Sequence, residues 1–269
     1  MATYLDRIAA SHRAAASADE RDLAELAGRA RAAPATRDFS GPLSASSRTA
    51  GGAPIALVAE IKRRSPSAGE IAPNLDPVEV ARAYEAGGAS CLSVLTDGAH
   101  FGGSADDLSS ARAAVGLPVL RKDFTVCEAD VYDARIMGAD AVLLIVAVLS
   151  APELGQLLEV AGELEMAALV EIHDEGELER ALEIDARLIG VNQRNLHTFE
   201  VDRERAARLA QHIPSGVVKV AESGVESAED VATLAVAGFD AVLVGETLLR
   251  SRDRAAAVGA LLGRAVPCG

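Results

Sequence analysis

The chain has 269 residues, a formal net charge of −14 at pH 7, and a composition that is 49% hydrophobic but only 3% aromatic. Its length and apolar content are typical of one large α/β domain with a substantial core, and its negative charge argues against nucleic acid and anionic membrane surfaces as partners. The three cysteines lack CxxC spacing and the five histidines lack metal-ligand spacing. We therefore expect a reducing, cytoplasmic compartment and no bound metal.

The first segment of the chain predicts helix rather than a targeting or membrane-spanning sequence. Charged residues interrupt it from Asp6 to Arg13, which is unlike a signal peptide, and the longest apolar run, residues 141–149, is too short to span a bilayer. Helical periodicity continues to about Arg31, and a Ser-, Gly- and Ala-rich linker follows from Ser40 to Pro54. We expect residues 1–50 to form a helical extension and linker, either packed on the rest of the protein or loosely ordered.

From Ile55 onward a short apolar run, a polar end and an amphipathic helix recur at intervals of roughly 20 to 35 residues, the size of one βα unit. Eight such runs are predicted strands: Ile55–Ile61, Ser90–Leu95, Val119–Arg121, Ala141–Val146, Ala167–Ile172, Leu188–Val191, Val217–Ala221 and Ala241–Val244. Eight parallel units predict a single (β/α)8 TIM barrel over residues 51–269. An open doubly wound sheet is the alternative, although no GxGxxG or Walker loop follows the first strand.

Polar residues follow six of these strands, at the edge where a barrel places its active site. On the first strand, Glu60 and Lys62 point to the same side, as a functional pair or as a buried structural ion pair. After the third strand, only one of Arg121 and Lys122 can point inward. Glu171 directly follows the fifth apolar run. We predict a polar site of mixed charge at the carboxyl ends of the strands.

The same edge carries features that suit an anionic ligand. Basic residues cluster at strand ends: Lys62, Arg63, Arg64, Arg121, Lys122 and Arg194. Gly224 and Gly245 follow strands seven and eight, where barrels often hold a phosphate on backbone N–H groups, and Ser223 adds a hydroxyl. Each glycine could also serve a tight turn. Together these residues favour a small phosphorylated substrate.

Eight segments resemble the indole-3-glycerol-phosphate synthase family in order and across essentially the whole barrel. Among them EIKxxSPS followed by LRKDF is a specific signature. The segments are Ala59–Gly69, Leu95–Ser104, Val119–Phe124, Gly138–Val146, Leu169–His173, Ile189–Leu196, Ala221–Val225 and Leu243–Glu246. Departures at Asp97, where Glu is common in the family, and at residues 126–130 concern loop detail rather than reaction type.

The resemblance implies a carboxy-lyase of tryptophan biosynthesis. Its reaction closes the ring of 1-(2-carboxyphenylamino)-1-deoxyribulose 5-phosphate and releases carbon dioxide and water, with no cofactor. The sequence also leaves open a paralogue that serves another pathway. We expect a monomer or a weak homo-oligomer.

Catalytic roles follow from the resemblance residue by residue. Lys122 matches the general acid that protonates the ribulose carbonyl, and Glu171 matches the base of the later dehydration. Lys62 matches a lysine that contacts substrate carboxylate and phosphate, with Glu60 as its charged neighbour. The family also has residues that bind the substrate hydroxyls and belong to the hydrogen-bond network through which protons move. The matching residues in this sequence are Asn192, Glu222 and Ser223.

The resemblance also assigns the residues that bind the substrate. Arg194 lies at the anionic edge, and the phosphate end comprises Lys62, Ser223, Gly224, Gly245 and Glu246. The wall for the aromatic ring is formed by Phe101, Phe124, Leu143, Leu196 and Leu243, beside Ser65 and Pro66. From chemistry alone we expect crowding to lower the pKa of each lysine and burial to raise that of the glutamates.

Two other functions fit parts of the pattern. A Schiff-base aldolase on the same fold would use Lys122 or Lys62 as its nucleophile. A non-catalytic phosphate-binding barrel would need only the glycine-rich end of the site.

Overall fold

A computed structural model of the chain describes residues 3–44, 55–195 and 198–264. Eight parallel strands of these residues close into a barrel in which neighbours in the chain are neighbours in space, and the first strand pairs with the last. The strands are β1 Ala56–Ile61, β2 Cys91–Leu95, β3 Val119–Lys122, β4 Ala141–Ile145, β5 Ala167–Ile172, β6 Leu188–Asn192, β7 Val218–Glu222 and β8 Ala241–Val244. The predicted (β/α)8 barrel is confirmed, and the open sheet is excluded.

Helices surround the barrel and precede it. In chain order they are α1 Tyr4–Ser17, α2 Leu23–Ala32, α3 Pro77–Gly87, α4 Gly98–Phe101, α5 Ala105–Ala114, α6 Glu128–Met137, α7 Ala151–Glu163, α8 Glu175–Glu183, α9 Arg205–Ala210, α10 Ala228–Val236, α11 Glu246–Arg250 and α12 Arg254–Leu261. A 3₁₀ turn covers Gly41–Leu43, and two short strands, Arg64–Ser65 and Gly69–Glu70, pair within the β1–α3 loop. Among the described residues, no helix has the length and apolar character needed to cross a membrane.

Local sequence accounts for the boundaries of α3. Asp76 accepts a hydrogen bond from the backbone N–H of Val78, and Pro77 occupies the first turn, where no intrahelical donor is needed. Gly88 ends the helix with a φ of +96°, a left-handed conformation that glycine adopts without steric cost.

Successive side chains of each strand alternate between two hydrophobic cores. Ala56 and Val58 of β1 pack inside the barrel, whereas Leu57 and Ala59 face the surrounding helices. Continued alternation turns Glu60 inward at the top of the strand. The same rule, starting from the interior residues Leu120, Leu169, Leu188 and Val220, turns Lys122, Glu171, Asn192 and Glu222 inward.

The described residues of the N-terminal extension pack against both ends of the barrel, as the packed alternative expects. Leu5 and Ile8 of α1 are buried in the interior cluster at the carboxyl ends of the strands. Phe39 and Leu43 join that cluster near the start of β1, and the thiol of Cys91 approaches the carbonyl of Phe39. The boundary at residue 50 stays a prediction, since residues 45–54 lie outside the described part.

Polar contacts hold α1 over the barrel. Arg13 donates to the Glu153 carboxylate at 2.7 Å and to the carbonyl of Val148 at 3.0 Å. Asp97, which is buried and caps α4, lies 3.2 Å from His12 Nε2 and 2.8 Å from His100 Nδ1 through a single carboxylate oxygen. Hydrogen bonds from both imidazoles outweigh burial and hold the pKa of Asp97 well below its usual range. The hydrogen bond to Asp97 raises the pKa of His12.

We predict that Asp97→Asn destabilises the protein by about 1–2 kcal/mol, because Asp97 accepts the His100 backbone N–H at Oδ1 and both imidazoles at Oδ2, whereas an amide has only one acceptor oxygen. The raised pKa of His12 contributes stability that is complete below its unfolded pKa of about 6.5 and is lost as pH rises through the folded pKa. Urea unfolding should therefore show a larger loss near about pH 5 than near about pH 9. Asp253→Asn, an exposed helix cap without a histidine partner, is the control. An equal loss at both pH values would contradict the assignment.

Candidate active site

A cavity of about 430 Å³ opens at the carboxyl ends of the strands. Side chains from the barrel, from the loops above it and from α1 line the cavity. The predicted site residues that face it are Glu60, Lys62, Ser65, Pro66, Phe101, Lys122, Phe124, Leu143, Glu171, Asn192, Arg194, Glu222, Ser223, Gly224, Leu243, Gly245 and Glu246. Leu196, the remaining predicted residue, lies outside the described part of the chain.

Lys122 stands between two buried carboxylates at the centre of the cavity floor. Its Nζ lies 2.9 Å from Glu171 Oε2 and 3.4 Å from Glu222 Oε2. Burial alone would lower the pKa of Lys122, but the charges of Glu171, Glu222 and Glu60 outweigh it and raise that pKa well above its ordinary value. The expectation that crowded lysines would lower each other's pKa is therefore wrong for Lys122, because its close neighbours are carboxylates.

Glu171 is held at both carboxylate oxygens. Oε2 faces Lys122, and Oε1 accepts a hydrogen bond of 3.1 Å from Asn192 Nδ2. Ser223 in turn donates to Asn192 Oδ1 at 2.8 Å. Burial would raise the pKa of Glu171, yet Lys122 and His173 together hold it well below its usual range. The expectation of a raised pKa is wrong here, and Glu171 is ionised in the free protein.

Glu222 behaves in the opposite way. Burial, with Glu171 and Glu60 nearby, raises the pKa of Glu222 to about 8 despite the ammonium of Lys122. Within the described structure its Oε1 accepts no hydrogen bond. At neutral pH this carboxyl is therefore largely protonated, as expected for a buried glutamate, and it can donate a proton to a bound oxygen.

Gly190 is a site residue that the sequence analysis missed. It lies on the inner face of β6, and a Cβ there would stand 2.2 Å from Glu222 Oε1. A side chain of any size would displace the buried carboxyl, so glycine creates the space that Glu222 occupies. Only the break in the apolar run of β6 hinted at this, and a glycine within a strand is equally typical of a bulge or a tight bend.

We predict that Gly190→Ala lowers kcat by about tenfold or more while the barrel still folds, because Glu222 must move from its position beside Lys122. Steady-state kinetics and circular dichroism test this directly. Gly162→Ala is the control, since no atom of the described residues lies within 4 Å of the added Cβ. Wild-type kcat in Gly190→Ala would show that the exact place of Glu222 does not matter.

Glu60 and Lys62 form a close ion pair on the rim, as their parity on β1 predicts. Gly245 leaves room for this pair, because a Cβ at that position would stand 2.4 Å from Glu60 Oε1. Tyr84 also fixes the local backbone by donating its hydroxyl to the Glu60 carbonyl at 3.1 Å. The pair is exposed to the cavity rather than sealed in the core, so a purely structural role is not favoured.

The end of the cavity near β7 and β8 has backbone geometry that suits an anion. Ser223 and Gly224 both adopt left-handed conformations, with φ of +67° and +73°. Gly245 immediately precedes α11, whose first N–H groups lack intrahelical partners. The carboxylate of Glu246 instead holds Arg250 at 2.9 Å, so only the backbone of Glu246 is suited to a phosphate.

The opposite end of the cavity is apolar, and α1 completes it. Phe101, Phe124, Leu143 and Leu243 line it as predicted. The extension adds lining that was not predicted from the sequence, namely Tyr4, Leu5 and Ile8. Their helix, α1, is distant in the chain from every barrel strand, so no local pattern could reveal this contact.

Three of the six basic residues assigned to an anionic ligand serve other purposes. Arg63 pairs with Asp107 at 2.9 Å. Arg64 donates to the carbonyl of Gly98 at 3.0 Å. Arg121 is buried outside the barrel interior and bonds Asp123 at 3.0 Å and the Asp130 carbonyl at 2.9 Å. The expectation of a six-residue basic cluster is therefore wrong, and Lys62, Lys122 and Arg194 remain in the cavity.

A lysine and several carboxyl groups are buried at the strand ends of this closed (β/α)8 barrel. Such a site is typical of an enzyme that works by general acid–base catalysis. Comparison with known proteins identifies the family. The sequence model described as indole-3-glycerol phosphate synthase matches residues 5–261. The chain therefore belongs to the indole-3-glycerol phosphate synthase family and is a carbon–carbon lyase.

Individual relatives agree with this assignment. An indole-3-glycerol phosphate synthase from Mycolicibacterium gilvum is 51% identical over 263 residues, which cover 97% of this chain and 94% of the relative. The enzyme of the same name from Mycobacterium ulcerans is 49% identical over 263 residues, with the same coverage. Among solved structures, thiamine phosphate pyrophosphorylase from Pyrococcus furiosus aligns with a TM-score of 0.59 at 16% identity, covering 77% of this chain and 94% of that one. This last likeness concerns the fold alone.

Proposed function

We propose that the cavity closes the ring of 1-(2-carboxyphenylamino)-1-deoxyribulose 5-phosphate to form indole-3-glycerol phosphate, with Lys122 as the general acid and Glu171 as the general base. The direct contact between Nζ of Lys122 and Oε2 of Glu171, at 2.9 Å on the cavity floor, is the observation that carries the proposal. The apolar end near Phe124 suits the aromatic ring, and the left-handed turn at Ser223 suits the phosphate.

The reaction itself specifies what these groups must do. The ring carbon that bears the carboxylate attacks the ketone carbon, and the ketone oxygen takes a proton. Loss of carbon dioxide returns an electron pair to the ring. Dehydration then removes a proton from the carbon beside the nitrogen and expels the hydroxyl, with a further proton, as water. Two protons go to oxygen and one leaves carbon, so an acid and a base must act in sequence.

Lys122 is suited to the first step. Its ammonium is held in place by Glu171 and Glu222, so it can meet the ketone oxygen without reorganising. A developing alkoxide is strongly basic, and an ammonium with a raised pKa still protonates it. Transfer to the substrate leaves a neutral amine at the centre of the cluster.

The same transfer prepares Glu171 for the second step. Its pKa is low in the free protein chiefly because the charge of Lys122 offsets burial. Loss of that charge raises the pKa of Glu171 and makes it a stronger base when dehydration requires one. Glu222, protonated at rest, is placed to supply the proton for the leaving hydroxyl. The buried cluster thus sets the order of the two proton transfers.

The remaining site residues bind and orient the substrate. Lys62 and Arg194 are cations on the cavity rim and would pair with the substrate carboxylate and phosphate. Backbone N–H groups near Gly224, Gly245 and Glu246 would hold the phosphate. Asn192 and Ser223, already linked to Glu171, would contact the substrate hydroxyls. We further propose a cytoplasmic location, which the free thiols of Cys91 and Cys127 support, and a monomer or weak homo-oligomer.

Incubation of the purified chain with the ribulotide tests the reaction. Indole fluorescence should rise with stoichiometric release of carbon dioxide. Borohydride added during turnover should trap no covalent adduct, since neither lysine acts as a nucleophile. A trapped adduct would favour the aldolase, and binding of phosphate compounds without fluorescence gain would favour a non-catalytic barrel.

A further inference from the structure

His173 is a buried titratable residue that the proposed mechanism does not use. It follows β5 directly, and its side chain is 12% exposed. The ring does not line the main cavity. It borders a second cavity of about 150 Å³, which Asp174, Glu177 and Arg205 also line. His173 therefore contacts Glu171 from outside the main cavity.

Two carboxylates face the ring from opposite sides. Nε2 lies 3.4 Å from Glu171 Oε1, and Nδ1 lies 3.0 Å from Glu177 Oε2. Glu177, in the first turn of α8, also accepts the backbone N–H of His173 at 2.8 Å. Because Glu177 fixes Nδ1, the other ring nitrogen can point only towards Glu171. Within the described residues Nε2 makes no hydrogen bond, so its contact with Glu171 Oε1 is an ion-pair contact.

We propose that His173 is a positioning residue for the proposed reaction: anchored by Glu177, its ring contacts Glu171 and aims that carboxylate at the substrate. This inference rests on the proposed role of Glu171 as the base. The arrangement of carboxylate, imidazole and carboxylate assigns a separate task to each group. Glu177 orients the ring, the ring orients Glu171, and only Glu171 reaches the cavity.

Comparison of the two carboxylates beside Lys122 supports the role. Glu171 and Glu222 are both buried and both face the same ammonium. The pKa of Glu222 is raised, whereas that of Glu171 is lowered, and His173 contributes to the lowering of the latter. The two carboxylates, Glu171 in ion-pair contact and Glu177 in hydrogen-bond contact, outweigh burial and raise the pKa of His173 to about 9, so the ring is charged at neutral pH.

The cation has its greatest consequence after the first proton transfer. Once Lys122 has protonated the substrate, its amine no longer favours the ionised form of Glu171. His173 then remains as the cation in contact with that carboxylate. It limits the rise of the pKa of Glu171, so the base stays deprotonated while it waits for the dehydration step.

The test compares His173→Gln with His173→Lys across a pH series. Glutamine retains a donor but no charge, so kcat near neutrality should fall about tenfold and the acidic limb of the kcat profile should move to higher pH by about one unit. Lysine retains a cation, and its acidic limb should stay close to that of the wild type. KM should change little in either variant, because the ring is outside the main cavity. His212→Gln, at an exposed histidine, is the control.

The outcomes separate positioning from mere packing. A lower kcat at every pH without movement of the acidic limb in His173→Gln, or a change in KM alone, would overturn the proposal. Glu177→Gln provides a second measurement if His173→Gln does not fold. This variant keeps the imidazole but weakens the contact that Glu177 makes with it, so kcat should fall. An unchanged kcat would count against the positioning role of His173. Absence of product with the wild type, or full activity in Glu171→Gln, would instead reject the proposed function.

Discussion

Lys122→Ala is expected to lower kcat by about 10²–10⁴-fold with a much smaller change in KM, because it removes the acid that protonates the ketone. Ring closure is then blocked at its start, so the variant should release neither carbon dioxide nor indole product. Steady-state assays of both products measure the effect. Removal of the ammonium leaves Glu171 beside Glu222, but Glu222 already carries a proton at neutral pH, so two carboxylate charges are not left together and the fold is retained.

Two further variants make this result interpretable. Lys219→Ala removes a partly buried lysine from β7 whose ammonium donates to the carbonyl of Ala210 at 3.4 Å, and it should leave kcat unchanged. Lys122→Arg keeps a cation of different shape, and it should preserve stability while failing to restore the rate. Turnover in Lys122→Ala within a few-fold of wild type would remove this residue from the mechanism.

Glu171→Gln is the second large effect, and it should differ from the first in kind. The amide cannot accept the proton from carbon, so indole formation should fall by about 10²–10⁴-fold. Ring closure and decarboxylation precede that step, however, and Lys122 is still present. A rapid-mixing experiment should therefore show one equivalent of carbon dioxide per site without a matching rise in indole fluorescence.

Glu179→Gln, an exposed position on α8, is the matched control for this substitution. The proposed order of steps predicts a burst of carbon dioxide for Glu171→Gln and none for Lys122→Ala. If the glutamine variant released neither product, Glu171 would be needed before decarboxylation. If the variant released both products at the wild-type rate, Glu171 would not be the base.

The ion pair between Lys122 and Glu171 explains how the site without substrate can be stable and still reactive. In the free protein, Lys122 and Glu171 exist as a buried ion pair that each partner stabilises. Such a pair costs desolvation, and removal of one partner alone leaves an uncompensated charge. When the substrate accepts the proton of Lys122, the ion pair is lost. The pKa of the uncompensated Glu171 carboxylate then rises, and this makes Glu171 a stronger base for the dehydration step.

Local sequence was sufficient for most of the fold. The eight predicted strands correspond to the observed strands within a residue or so at each end. Parity within a strand was also reliable, since it allowed only one of Arg121 and Lys122 to point inward, and the structure places Lys122 in the cavity and Arg121 outside it. These predictions succeed because side chains of a strand alternate with a period of two, a property of the local backbone.

Charge interactions were predicted less well, because they depend on residues that are distant in the chain. The sequence shows that Lys122 and Glu171 each end a strand, but not that they are 2.9 Å apart. Without that distance, the sign of each pKa shift could not be inferred. The resemblance to a family supplied the roles, and the structure supplied the neighbours.

The sequence by itself determined the barrel, the inward direction of the polar strand ends and, through its motifs, the family. Only the tertiary structure decided that α1 closes the apolar end of the cavity, that Gly190 makes room for Glu222, and that His173 contacts Glu171 from outside the main cavity. Strand and helix periods are set by neighbouring residues along the chain. Electrostatic fields and free volume are set by whichever residues the closed barrel brings together, however far apart they are in sequence.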